Sequence, residues 1–300
     1  MPELPEVETI RLGLEEHIVG KKIVSVEVRL KKIISGDIAK ITGAKFKKIR
    51  RFGKALSLDL DNNYSIAIHV KMTGQLIWVS DESKVSRVSK VLVGELPNKF
   101  THVIFKLKNQ NLKGKTENSF LFYNDIRQFG WIKILSTSDV EKLPFVSELG
   151  PEPSVGDRVR DRVRDRETLT LKKFQQILKN KSTKIKVLLM DQKRIGGVGN
   201  IYANDALFLA GIDPRRQAKS LSTNETRRLY QSIEEVLKQG LKYGGSSEFT
   251  YVNALGETGE YQKHFLVYGF YKKPCSRCGG KVLTIKLGGR GTFFCPHCQN

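Results

Sequence analysis

All four cysteines of the 300-residue chain fall in its last 26 positions, as Cys275-Ser276-Arg277-Cys278 and Cys295-Pro296-His297-Cys298. Two Cys-x-x-Cys pairs separated by 16 residues fit a four-cysteine zinc ribbon, in which each pair forms a knuckle and the intervening segment makes a hairpin. An oxidised secreted scaffold would spread its cysteines along the chain. Four thiolates leave no open position for water, so one structural Zn2+ is expected on Cys275, Cys278, Cys295 and Cys298. Between the knuckles lies Lys286-Leu287-Gly288-Gly289-Arg290-Gly291-Thr292. Its glycines let backbone approach a partner closely, and Arg290 at the tip can reach a phosphate.

The rest of the chain is long enough for two domains with real cores. A formal charge of +21 exceeds what solubility requires and points to a polyanionic partner, nucleic acid ahead of an anionic membrane. No run is long and apolar enough to span a bilayer, and the acidic start is unlike a basic leader. A soluble, cytoplasmic protein is therefore expected.

Taken in order, Val7, Ile10, Leu14 and Ile18 follow helical spacing, with Gly20 as a stop. Strand-like runs then recur at 23–30, 56–60, 64–70, 75–79, 101–107, 119–124 and 130–135, which reads as a β-sandwich with a helix at its start. Arg50-Arg51-Phe52-Gly53-Lys54 reads as a sheet edge that keeps charge at the surface, or as a site where Lys54 meets phosphate or assists proton transfer. His69 and Met72 lie in a turn and read as structural. In Tyr123-Asn124-Asp125-Ile126-Arg127-Gln128-Phe129-Gly130, an arginine beside an aromatic either wedges into a base stack or is a loop with a core phenylalanine.

Two prolines and a glycine in Glu148-Leu149-Gly150-Pro151-Glu152-Pro153 mark a domain boundary. The arginine–aspartate repeat at 157–166 suits a solvated helix and is assigned no chemistry. A helical region follows, with stripes at Leu171, Phe174, Ile177 and Leu178 and at Ile185, Leu188 and Leu189, and a basic run Lys179-Asn180-Lys181 between them. Gly196-Gly197-Val198-Gly199-Asn200 opens another helix whose free N–H groups can bind a DNA phosphate, with Asn200 as a further donor. Ser222 with Glu225 makes a capping box. The glycine-rich stretch 244–260, with Phe249 and Tyr251, reads as a functional or mobile loop. These features divide the chain into 1–150, a β-sandwich with flanking helices; 151–262, a helical DNA-binding domain; and 263–300, the zinc finger.

The chain begins Met1-Pro2-Glu3-Leu4-Pro5-Glu6-Val7-Glu8. Proline in a first turn with acids beside it is a sound helix entry. The same residues suit chemistry: without Met1, Pro2 presents a secondary amine titrating well below a lysine, able to attack a sugar carbon, and Glu3 can move protons there.

Together these segments resemble the formamidopyrimidine-DNA glycosylases of the wider Fpg/Nei group. The opening Pro-Glu-Leu-Pro-Glu-Val-Glu is similar to the family's amino terminus. Gly53-Lys54, Asn124-Asp125, Leu149 to Pro153, Ile185-Lys186, Leu189-Met190-Asp191, Gly197 to Ala203 and the cysteine ribbon follow in the family's order. The resemblance implies an α+β chain with an amino-terminal β-sandwich, a helix–two-turn–helix domain and a zinc finger, acting as a monomer on damaged double-stranded DNA. It implies that Pro2 attacks C1′ of the damaged nucleotide, Glu3 transfers protons, Lys54 assists catalysis and contacts DNA, and Arg290 binds the lesion's phosphate and serves as acid in the second elimination. It further implies that Met72, Arg127 and Phe129 fill the void left by the flipped base and that Lys181 and Asn200 contact phosphates. The substrates implied are 8-oxoguanine and ring-opened purines, and the products a free base and a strand gapped by β,δ-elimination. Oxidised pyrimidines, as in the Nei branch, or DNA binding without catalysis are the alternatives. The sequence departs from the family pattern at Lys71, where glycine or arginine is frequent, at Ile126, where proline is common, at Gln128, in place of a second arginine, and at Phe100, where some members carry histidine.

Overall fold

The computed structural model describes residues 1–80, 88–110, 116–155, 168–271 and 273–300. The arginine–aspartate repeat lies outside them. Contacts divide the chain into two compact units, Met1–Ser147 with Tyr243–Gln262, and Glu148–Lys242 with Lys263–Asn300. Among the described residues no helix is long and apolar enough to cross a membrane.

In the first unit, helix α1 (Leu4–Ile18) begins at Glu3 and ends before Gly20, whose φ of 85° is in the left-handed region glycine tolerates. Its stripe of Leu4, Val7, Ile10, Leu14 and Ile18 is fully buried. Among the described residues nine strands follow: β1 (Lys22–Val28), β2 (Ile34–Ser35), β3 (Phe46–Phe52), β4 (Ala55–Leu60), β5 (Tyr64–His69), β6 (Gly74–Val79), β7 (Thr101–Gln110), β8 (Thr116–Asp125) and β9 (Trp131–Ser136). They form a four-stranded sheet, β1-β7-β8-β6, and a five-stranded sheet, β2-β9-β5-β4-β3. Every pairing is antiparallel except β2 with β9. One core joins the inward residues of both sheets, such as Leu58, Ile66, Phe105 and Leu121, to the buried face of α1, as a sandwich requires.

Two differences from the sequence reading concern this unit. Of the run Arg50–Lys54, the first three residues do end an edge strand, but Arg51 is only 4% exposed and donates to Glu8 at 2.7 Å, while Arg50 pairs with Asp59. The charges at 50 and 51 are thus neutralised by carboxylates instead of being left to solvent. The second difference is the stretch 243–262, which sequence divided from residues 1–150. Its contacts fall within the first unit: Gln75 donates to Thr250 O at 2.6 Å, Trp78 N–H to Ala254 O at 2.7 Å, and Ala254 sits against Gly13. Tyr251 belongs to the core, whereas Phe249 is exposed.

The second unit contains α3 (Leu171–Leu178), α4 (Ile185–Leu189), α5 (Asn200–Ala210) and α6 (Thr223–Lys242), α2 being the single turn Pro144–Ser147 of the first unit. Thr170 caps α3 through its side chain. Ser222 and Glu225 form the expected reciprocal box at α6, with Ser222 N–H donating to Glu225 and Glu225 N–H to the serine hydroxyl. The chain then closes on the hairpin β10 (Leu283–Leu287) and β11 (Arg290–Phe294), turning through Gly288 and Gly289, both at positive φ.

Candidate functional site

In the first unit the amino-terminal turn is packed and hydrogen-bonded. Pro2 is buried and Glu3 is 2% exposed. Glu6, one helical turn on, is buried and works in two directions: Oε2 accepts the Glu3 N–H at 2.8 Å, and Oε1 accepts the Ser246 N–H at 2.8 Å. One carboxylate thus fixes both the backbone beside Pro2 and the start of the 246–260 segment. Gly245 permits this approach, because a Cβ there would lie 2.8 Å from Glu6 Cγ and its φ is 84°.

Below this turn, Glu8 is fully buried between Arg51 at 2.7 Å and Arg11 at 2.8 Å. Burial alone would raise its carboxyl, but the Arg51 and Arg11 guanidiniums outweigh that and hold it below the ordinary range. Lys54 follows Gly53, whose φ is 57°, and is mostly buried. His69 stays neutral, pushed down to about 3 by burial and by the charges of Lys71 and Lys54. Its Nδ1 accepts the Lys71 N–H at 3.0 Å, which leaves the ring proton on Nε2.

Met72, Arg127 and Phe129 come together on two neighbouring turns. The β5–β6 turn carries Met72 and the β8–β9 turn carries the other two. The Arg127 guanidinium lies 3.1 Å from the Met72 sulfur and 4.8 Å from the centre of the Phe129 ring. All three side chains form an exposed tip, Phe129 being 56% exposed. This disposes of the core-phenylalanine reading, since a ring that open to solvent has no packing duty.

In the second unit Lys181 sits in the turn after α3, where Asn180 takes a φ of 59°. Asn200 is the first residue of α5, behind Gly199 as N-cap. Arg290 is exposed at the tip of the β10–β11 hairpin. Three side chains that sequence reading gave no role tie this region together. Lys186 is fully buried and its Nζ donates to Gly291 O at 2.8 Å and to the Thr292 hydroxyl at 2.7 Å. Asn204 accepts the Phe293 N–H at 2.9 Å and donates to Asn200 O. Asp205 accepts the N–H groups of Val267 and Tyr268. The helix that starts at Asn200 and the strand that starts at Arg290 therefore share one buried hydrogen-bond framework.

The Sγ atoms of Cys275, Cys278, Cys295 and Cys298 lie within 4.8 Å of one another, with separations of 3.8 Å for Cys275–Cys298 and 3.5 Å for Cys278–Cys295. A tetrahedron with Zn–S near ~2.3 Å places sulfurs about 3.8 Å apart. The four thiols fit that ion, and the site is one structural zinc.

Comparison with known proteins decides the family. Residues 1–132 match the formamidopyrimidine-DNA glycosylase N-terminal domain, 149–251 its H2TH domain, and 272–300 the zinc finger found in FPG and IleRS. A formamidopyrimidine-DNA glycosylase of Streptococcus mutans is 39% identical over 100% of this chain and 99% of that protein. This chain belongs to the formamidopyrimidine-DNA glycosylase family. Among solved members of the family, a Lactococcus lactis Fpg in complex with an abasic site containing DNA matches with a TM-score of 0.82 and 33% identity, covering 99% of each chain. A MutM bound to carbocyclic 8-oxo-G containing DNA matches with a TM-score of 0.80 and 33% identity, covering 100% of each. The fold expected from the resemblance, an amino-terminal sandwich, an H2TH domain and a four-cysteine finger, is the glycosylase family's fold.

Proposed function

We propose that this chain is a bifunctional glycosylase and AP lyase of base-excision repair, which removes 8-oxoguanine and formamidopyrimidines from double-stranded DNA in the cytoplasm. Family membership over the whole chain, with an intact and buried Pro2-Glu3 turn, carries the reading.

In this reading the Pro2 nitrogen, freed by loss of Met1, attacks C1′ of the flipped nucleotide as the bond to the base breaks, and cleavage of C1′–O4′ with a proton delivered to O4′ then opens the sugar to an iminium. Glu3 moves protons at that centre. The iminium accepts the electrons of the bond broken when C2′ loses its proton, so the 3′ phosphate leaves; a second elimination releases the 5′ phosphate, with Arg290 as its acid. Lys54 assists and contacts DNA. Lys181 and Asn200 hold phosphates, and Met72, Arg127 and Phe129 occupy the emptied stack. The zinc shapes the finger and takes no part in a step.

Borohydride reduces an iminium to a stable amine, so it should trap a covalent complex between Met1-processed protein and an 8-oxoguanine duplex. Pro2→Gly, or protein whose Met1 is retained by mass spectrometry, should lose nearly all trapping. Absence of an adduct with verified processed protein would end the proposal. Stronger cleavage of thymine glycol than of 8-oxoguanine in the same duplex would move it to oxidised pyrimidines.

A further inference from the structure

We infer that Asp125 is the positioning residue for the void-filling tip: its carboxylate holds the two turns that carry Met72, Arg127 and Phe129 in the one geometry that enters DNA. The inference rests on the roles proposed above for those three side chains.

Asp125 is fully buried at the end of β8. Its Oδ1 accepts the Thr73 hydroxyl, next to Met72, and the Arg127 N–H at 3.2 Å. Its Oδ2 accepts the Gly130 N–H at 2.8 Å, next to Phe129, and lies 3.5 Å from the Tyr123 hydroxyl. The Thr73 oxygen in turn accepts the Arg127 N–H at 2.9 Å. One side chain therefore grips the backbone within the 126–129 turn, at Arg127, and directly after it, at Gly130, and through Thr73 holds the neighbouring turn as well. The Tyr123 hydroxyl stays protonated, held up by burial and by the Asp125 charge, and so remains a donor.

A second observation shows why such a clamp is needed. Lys71 and Gln128, which flank Met72, Arg127 and Phe129, have φ of 49° and 55°. Residues with a side chain rarely adopt that conformation, and it persists where the surroundings over-determine it. These are two of the positions at which the sequence departs from the family pattern. Gly130 completes the arrangement, since a Cβ there would lie 1.9 Å from the Tyr123 hydroxyl and 2.9 Å from His69 O. Only glycine lets the chain pass close enough for its N–H to reach Asp125. A wedge presented on turns free to relax would have to be ordered on each encounter with DNA; here it is ordered beforehand.

Asp125→Asn tests the assignment, because an amide keeps the size but can accept on one oxygen only. Two substrates separate positioning from chemistry: an 8-oxoguanine duplex, whose stack must be refilled, and a single-stranded oligonucleotide with a preformed abasic site, which has no stack to fill. A 2-aminopurine opposite the lesion reports by fluorescence whether the wedge displaces the facing base. We expect single-turnover excision from the duplex to fall about 100-fold, the scale of a small misplacement, with loss of the 2-aminopurine signal, while single-strand scission stays within about threefold. Thr73→Val, which removes one donor and leaves the carboxylate, should show the same split to a smaller degree. Equal losses on both substrates, or no loss on the duplex, would overturn the inference. A failure of the wild-type protein to form any adduct would instead overturn the enzyme reading beneath it.

Discussion

At the residue scale, the turn bearing Pro2 stands on a buried ionic triad. Glu8, Arg11 and Arg51 are each 4% exposed or less; removing one member leaves uncompensated charge in a dry interior, which costs about 3–5 kcal/mol. Glu8→Gln should therefore lower the urea-unfolding free energy by about that amount at pH 7. The pH dependence has a definite sign. Because Glu8 is held below the ordinary carboxylate value of 4.5, its contribution is complete above that value and is lost as pH falls through the lowered one. The gap between wild type and Glu8→Gln should thus be widest near neutrality and shrink in acid. A gap that stays constant down to the acid transition would show that the ionised carboxylate is not what stabilises this corner.

At the scale of elements, legibility depended on how local the governing contacts are. Helix α1 and seven of the strands in the first unit announce themselves by spacing, because each buries one face of its own residues. Strand β3 does not: a register shift between Phe46 and Lys48 breaks the alternation, and Arg51 buries its charge against a helix 43 positions earlier. The site divides the same way. The cysteine pairs are contiguous and could be read directly, and the proposed Pro2-Glu3 pair is contiguous too, whereas Asp125, Glu6 and Lys186 act on partners 52, 240 and 106 positions away. The β10–β11 hairpin illustrates the consequence for function. Zinc holds its base and Lys186 its edge, so stripping the metal from the folded protein with a strong chelator should abolish lesion-duplex binding measured by anisotropy, while the circular dichroism of the β-rich first unit persists. Loss of the whole fold on chelation would mean that the finger supports more than its own hairpin.

For the whole molecule, a charge of +21 makes binding to DNA a matter of counterion release, with log K falling linearly in log salt. Lys181→Ala should lower that slope by about one phosphate contact, whereas Asn200→Ala, which removes an uncharged donor, should weaken binding and leave the slope unchanged. If both variants shift the slope alike, the division of labour between the two residues is different. The contact between Glu6 and Ser246 also sets an order in time. These residues are 240 positions apart, so at about 5–20 residues per second the ribosome supplies the second roughly 12–50 s after the first. Throughout that interval the amino-terminal turn lacks the partner that later pins it, which leaves it open for the loss of Met1 that the proposed chemistry requires. The turn that carries the proposed nucleophile is thus laid down early and pinned late, by a contact that only the last fifth of the chain supplies.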